Sequence, residues 1–209
     1  MKQITPFTST QEALTVLDNG GRFYNLITKA NDGEINSAEL SKVAGIMSDK
    51  QKMVLFLELS LANLTELSRK EIFMALSSDL KSAIKKYRVQ YLLPSEAAKK
   101  GVLSQNAIIE GIPKFLESKS DFNGFIMIPI MTGKVTTFTM IPIIDHYNVY
   151  ELRDEDTSET FLIAHSRDAE RLPEKRITIG GILKELKKDK KDVSPATKYL
   201  EAHYYTDVI

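Results

Sequence analysis

Near residue 105 the spacing of apolar residues changes from about four to two, and no other feature of the chain constrains its fold class as strongly. Upstream, in "SRKEIFMALSSDLKSAIKKY" (68–87), Ile72, Leu76, Leu80 and Ile84 recur every fourth residue, while Lys81, Lys85 and Lys86 lie off that stripe. This is the pattern of an amphipathic helix with one buried face. Ser68 with Glu71, and Ser48 with Gln51, have capping-box spacing, so a helix is expected to begin at each serine. "TQEALTVLD" and "RFYNLITKA" read as two shorter helices separated by Gly20 and Gly21. Downstream, "NAIIEGIPKFLE", "GFIMIPI", "VTTFTMIPII", "YNVYELRDE", "ETFLIAHS" and "KRITIGGILKEL" alternate and are rich in β-branched and aromatic residues, with turn-forming stretches between them. The expected fold is therefore α+β: an N-terminal helical bundle over 1–100, then a small antiparallel β-barrel or sheet over 106–190. The boundary is expected in "PSEAAKKGVLSQ" (94–105), and residues 191–209 read as a tail or short helix.

The stretch "GFIMIPIMTGKVTTFTMIPII" (124–144) stands apart from the other strands. With Gly133 and Lys134 as a two-residue turn, Thr132 faces Val135, Pro129 falls opposite Phe138, and Pro142 falls opposite Phe125. Both prolines then occupy non-hydrogen-bonded pairs, so neither missing N–H interrupts the hairpin. One face collects Phe125, Met127, Pro129, Met131, Phe138, Met140 and Pro142. The other collects Ile126, Ile128, Ile130, Val135, Ile141 and Ile143, with Thr137 and Thr139. A sheet with one wet face alternates apolar and polar residues, and this one does not. The hairpin is therefore expected to be covered on both sides, one face by the barrel core and the other by the helical half, a second subunit or a ligand. Phe125, Met127, Met131, Phe138 and Met140 are the candidate partner-binding residues, since methionine and phenylalanine adapt to varied shapes.

Composition removes several functions. There is no cysteine, which excludes disulfides, thiolate catalysis and cysteine-ligated metals. Basic and acidic residues balance at 28 each, so net charge gives no argument for a nucleic-acid or anionic-membrane partner. "MKQITPFTST" has no apolar signal region, and "MVLFLELSLANL" (53–64) is too short to span a bilayer and contains Glu58. The chain reads as cytoplasmic, with no membrane partner.

Catalytic, metal and cofactor sites find no support. His146, His165 and His203 show no metal-ligand spacing, and in a strand Asp145 and His146 would point to opposite faces. No nucleophile elbow, P-loop or dinucleotide fingerprint is present. "KANDGEINSAEL" (29–40) resembles half of an EF-hand loop, but aligning Gly33 with the sixth position puts Thr28 and Ala30 at positions one and three, where calcium needs oxygen ligands. The same turn resembles that of the tellurite-resistance B-like helical proteins. On its residues it is a tight turn with Gly33 at positive φ, Asn36 capping the next helix and Glu39 closing the box.

"IIEGIPKFLE" (108–117) and "TIGGILKELK" (178–187) share Ile-x-Gly-Ile-x-Lys-x-Leu, and glycine inside a strand suits a bulge or a sharp bend. With the acidic turn in "YELRDEDTSETFLIAHS" and the later "LPEKRITIGGIL", residues 106–186 resemble the oligonucleotide/oligosaccharide-binding (OB) barrel. The resemblance implies a barrel with the hairpin as an insertion. It also implies single-stranded nucleic-acid binding, for which Tyr147, Phe161, Lys175 and Arg176 are the candidate residues. Against this stand the apolar hairpin, the absence of tryptophan, and Asp154, Glu155, Asp156 and Glu159 nearby; these aromatics read more simply as barrel packing. The functional expectation is a non-enzymatic binding or assembly protein, self-association included, acting through residues 124–144. Single-stranded nucleic-acid binding is the first rival, and a small hydrolase or metal-dependent enzyme the second.

Overall fold

The structure, a computed structural model, describes residues 1–20, 29–116, 125–132, 135–154, 157, 159–186 and 197–208, with backbone alone at 125–141 and 145. It divides into two units, Lys2–Val89 and Gln90–Ile209, the latter including Met1.

The first unit holds β1 (Lys2–Gln3), α1 (Thr10–Leu17), α2 (Ser37–Ala44), α3 (Lys50–Ser60), α4 (Glu66–Ala75) and α5 (Ser78–Lys86). α3 buries Met53, Val54, Leu55, Phe56, Leu57 and Leu59 on all sides, as a central helix must. It packs against α2 and α5, while α1 packs against α2 and α4. Gly33 has φ +86°, and Asn36 caps α2 in a full capping box with Glu39, as the turn reading expects. The Glu39 carboxylate is 1% exposed and also accepts the Gly20 N–H at 2.7 Å. Burial raises its pKa, and the amide hydrogen bonds from Asn36 and Gly20 oppose that rise.

Three helix boundaries differ from expectation. Asp49, rather than Ser48, caps α3, because Ser48 sits at φ +60° and the Asp49 side chain accepts the Lys52 N–H. Thr65 caps α4 in place of Ser68. The stretch 68–87 is two helices, because at Leu76 the chain pairs with Ile35: the Ile35 N–H donates to Ala75 O and the Ser77 N–H donates to Ile35 O, both at 2.8 Å. Burial would raise the Asp79 pKa, but hydrogen bonds from Ser37, Ser77 and Lys50 hold it down to about 2. The buried stripe survives the break, with Ile72, Leu76 and Leu80 at 2% exposure or less. The expected helix over 22–30 lies largely outside the described residues.

β2 (Val89–Leu92), a strand in a region read as helix, stands at the boundary of the units, and α6 (Pro94–Lys100) follows in the stretch expected as a linker. Pro94 opens α6 where no N–H is needed, and buried Ala97 faces the strands, so the helix packs on the sheet. Then come β3 (Asn106–Phe115), β4 (Phe125–Thr132), β5 (Val135–Pro142), α7 (Ile143–His146), β6 (Tyr147–Arg153), β7 (Thr160–Ser166), β8 (Ile177–Leu186) and β9 (Thr197–Asp207).

β9 corrects the expected tail. Leu200, Ala202, Tyr204 and Thr206 are buried alternately along it, a period of two that the helix-forming Leu, Glu and Ala residues disguise. β9 lies between β8 and β7, antiparallel to the first and parallel to the second, so the sheet is not wholly antiparallel.

The pairings return to their start. β3 pairs β6, β6 pairs β7, β7 pairs β9, β9 pairs β8, and β8 pairs β3, with β2 flanking β3. Gly111 is where β3 changes partner: residues up to Gly111 pair β8, and from Ile112 onward they pair β6. A Cβ on Gly111 would lie 2.5 Å from Arg153 O. Gly181 is equally tight against β9 and adjoins a register shift, so both echoed glycines mark bends. Within the ring Ile109, Leu152, Ile163, Ile179, Leu183 and Leu200 form a core. A second cluster on the opposite face joins Val149, Ala164, Leu186 and Tyr199 to Ile143.

β4 and β5 form a two-stranded sheet of their own, outside the main sheet. Their register matches the sequence argument, with Phe125 opposite Pro142, Pro129 opposite Phe138, and Thr132 opposite Val135. The turn at Gly133 and Lys134 lies outside the described residues, as do the hairpin's side chains.

Candidate ligand groove at the end of the third strand

Where β3 leaves β8, a groove of about 830 Å³ opens. Its lining comes from the end of β3 (Ile112–Phe115) with Leu116, from Tyr150 and Arg153 of β6, and from Arg171, Leu172 and Glu174 in the loop before β8. In the chain, β3 is the strand that precedes the hairpin.

The register divides the lining between two faces. Pro113 and Phe115 lie opposite Leu152 and Tyr150 on the inner face, and Ile112 and Lys114 lie opposite Arg153 and Glu151 on the outer face. The Arg171 guanidinium carbon stands 4.1 Å from the centre of the Phe115 ring, a cation–π contact. Phe115 tilts at 59° against Tyr150, with ring centres 5.2 Å apart. Lys114, Arg153 and Arg171 are exposed, and Glu174 is the only carboxylate among the described residues of the lining.

Beneath the groove lies a chain of three hydrogen bonds. His165, 1% exposed, places Nδ1 2.9 Å from Ser166 O, which can only accept, so Nδ1 carries the proton. Nε2 is then the acceptor for the Tyr150 hydroxyl at 3.2 Å, and that hydroxyl accepts the Leu172 N–H at 3.1 Å. The two rings also stack at 5.4 Å. The chain fixes the loop that carries Arg171, and its histidine is too deep to meet a substrate.

Burial lowers the His165 pKa in the folded protein below its ordinary 6.5. Between those two values the unfolded chain binds the proton and the folded one does not. Stability is therefore expected to hold at neutral pH and to fall as pH drops from 6.5 through the folded value. Urea unfolding at neutral and mildly acid pH checks this, and His165→Phe should remove that part of the pH dependence. An unchanged slope in the variant would assign the acid sensitivity to other groups.

The residues expected to bind nucleic acid are scattered. Phe161 is 3% exposed and packs in the ring's core. Tyr147 donates its hydroxyl to Glu201 Oε1 at 3.1 Å, and burial with the Glu201 charge pushes its pKa up to about 12. Tyr147 pairs with Ser166 and Phe161 with Leu152, toward opposite ends of the β6–β7 ladder. Lys175 is ion-paired with Asp207 and Arg176 with Glu110. His146 ends α7 and is exposed; the Asp145 side chain lies outside the described residues. Phe125, Met127, Met131, Phe138 and Met140 keep their places on one hairpin face by register, and their side chains too lie outside the described residues. The groove residues escaped sequence reading because Lys114, Arg153 and Arg171 are far apart in the chain, with no shared spacing.

Among the described residues no group of His, Asp or Glu is placed to hold a metal ion, and no helix is long and apolar enough to cross a membrane. No protein-family model and no curated protein matches the chain. One solved structure that it resembles is the N-terminal domain of an archaeal MCM, at 9% identity and a TM-score of 0.36, covering 96% of this chain and 93% of that one. A likeness at that level carries no argument about function.

Proposed function

We propose that this chain is a non-enzymatic binding protein: an OB-like barrel formed by the ring of strands, carrying the hairpin Phe125–Pro142 as its partner-contacting arm, with a second copy of the chain as the first candidate partner. The observation behind this reading is that β4 and β5 pair along their whole length yet belong to no larger sheet. Two strands alone are marginal in water, and this pair has no polar face in its sequence, so something must keep water from both sides. The prolines leave each outer edge short of a donor, which disfavours simple strand addition and favours contact through side chains.

Light scattering tests the arm. The wild type is expected above monomer mass and Met127→Lys at monomer mass, with unchanged circular dichroism. A monomeric wild type that the variant merely reproduces would remove self-association.

A second reading, binding of single-stranded nucleic acid, is favoured by the closed circuit of pairings together with the cations around the groove. It predicts a mobility shift at low salt that weakens steeply as salt rises. No shift at low salt would eliminate it.

A further inference from the structure

We infer that Asn19 and Gly20 form a self-modification site in the helical unit: Gly20 N attacks the Asn19 side-chain amide and closes a succinimide, with Glu39 as the base and Lys42 as the cation on the Asn19 carbonyl. This is independent of which partner or ligand the chain binds.

Glycine after asparagine hinders ring closure least, since no Cβ stands beside the attacking nitrogen. Closure requires that nitrogen to lose its proton. Here the peptide unit between the two residues is gripped at both ends. Its N–H, on Gly20, donates to Glu39 Oε1 at 2.7 Å, and its carbonyl, on Asn19, accepts Lys42 Nζ at 2.9 Å. Glu39 and Lys42 are three residues apart on α2, neighbours on one face of that helix. The carboxylate is placed to take the proton, and the ammonium to stabilise the negative charge left on the Asn19 oxygen. Burial raises the Glu39 pKa, which makes its carboxylate a stronger base than one in water. Gly20 is buried and Glu39 is 1% exposed, so the base is internal; Asn19 is exposed, and among the described residues its side-chain amide has no hydrogen-bond partner.

The atoms balance without a cofactor. Glu39 Oε1 takes the Gly20 proton, and the nitrogen bonds to Asn19 Cγ. The Cγ–Nδ2 bond then breaks, and the leaving nitrogen recovers the proton from Glu39 and departs as ammonia. Solvent water opens the ring, at Cγ to give aspartate or at the backbone carbonyl to give isoaspartate. Lys42 already polarises the backbone carbonyl, so isoaspartate is the favoured product. In the ring the Gly20 nitrogen carries no hydrogen, so its buried bond to Glu39 is lost, and either product adds a carboxylate next to Asp18, itself 7% exposed. Asp32 and Gly33 form a natural contrast. The Gly33 N–H also donates to a carboxylate, Asp18 Oδ2 at 2.8 Å, but the Asp32 side chain is engaged with the Glu34 N–H at 3.1 Å, and its ionised carboxylate is a poor electrophile.

Intact-mass measurement and peptide mapping test this on the full chain, incubated warm at neutral pH, with the same chain held unfolded in guanidinium as the reference. Folded wild type is expected to convert Asn19 roughly ten-fold or more faster than the unfolded chain, the modest end of what a positioned base supplies. Isoaspartate and released ammonia should accumulate together, while Asp32 stays unchanged over the same period. Glu39→Gln keeps an acceptor oxygen but takes no proton, and Lys42→Met removes the cation; each should bring the rate down toward that of the unfolded chain. Should Glu39→Gln fail to fold, Lys42→Met decides, since it leaves the capping box of α2 in place. Slower conversion in the folded wild type than in the unfolded chain would mean that the two contacts protect the amide, and would overturn the inference. So would equal rates in wild type and variants of unaltered circular dichroism.

Discussion

Gly181→Val is expected to take a large part of the stability of the strand-rich unit Gln90–Ile209. A Cβ at this position would meet Glu201 O at 2.4 Å and Leu200 Cγ at 2.7 Å, and both belong to β9. A flexible side-chain tip could move aside, but the carbonyl is part of the β8–β9 ladder, and β9 is also held by β7. Relief therefore requires one strand to shift against two neighbours. Overpacking a core costs about 1–3 kcal/mol when side chains can adjust, so roughly 3 kcal/mol or more is expected where backbone must move. Urea unfolding followed by circular dichroism gives the number, with Gly33→Ala as the contrast. Gly33 has φ +86° and nothing within 4 Å, so alanine there pays only the backbone term, about 1 kcal/mol. Equal losses at the two positions would show that the close approach at Gly181 is not what the strands require.

Glu39→Ala is expected to cost the helical unit about 2–4 kcal/mol, since it strips the acceptor from two backbone amides, that of Gly20 buried and that of Asn36 half-buried. Glu39 Oε1 accepts the Gly20 N–H at 2.7 Å and Oε2 accepts the Asn36 N–H at 3.0 Å, the latter closing the capping box of α2. Glutamine keeps one acceptor oxygen and should recover part of the loss. Asn36→Ala removes the opposite half of the box, which a cap usually values at about 1 kcal/mol. The order alanine at 39, then alanine at 36, then glutamine at 39 is expected in chemical denaturation. A Glu39→Ala protein as stable as the wild type would mean that water satisfies both amides.

How far the sequence carried these conclusions differs by element. The hairpin register was readable to the residue, because two prolines and a two-residue turn leave one pairing that harms no hydrogen bond. The Gly33 turn with its Asn36 and Glu39 box was readable for the same local reason. The break at Leu76 was not, since it depends on Ile35, forty-one residues away. β9 hid behind Leu, Glu and Ala, which favour helix until the sheet offers a parallel place beside β7. The groove was the least legible. Stacking aromatics were sought among Tyr147 and Phe161, but one is tied to Glu201 and the other is core. The ring that remains in reach, Phe115, lies at the end of β3, and the sequence shows it only as one residue of an alternating strand.

The place of β9 bears on how the chain is made. β7 and β8 follow one another in the sequence but do not pair, because β9 fills the slot between them. While the ribosome is still adding residues before 197, each of those two strands keeps a bare edge toward the missing one. The nascent unit is thus a template for stray strands until residues 197–207 have emerged. Circular permutants that move β9 ahead of β3 would shorten that interval, and their yield in the cell would measure what the late arrival costs.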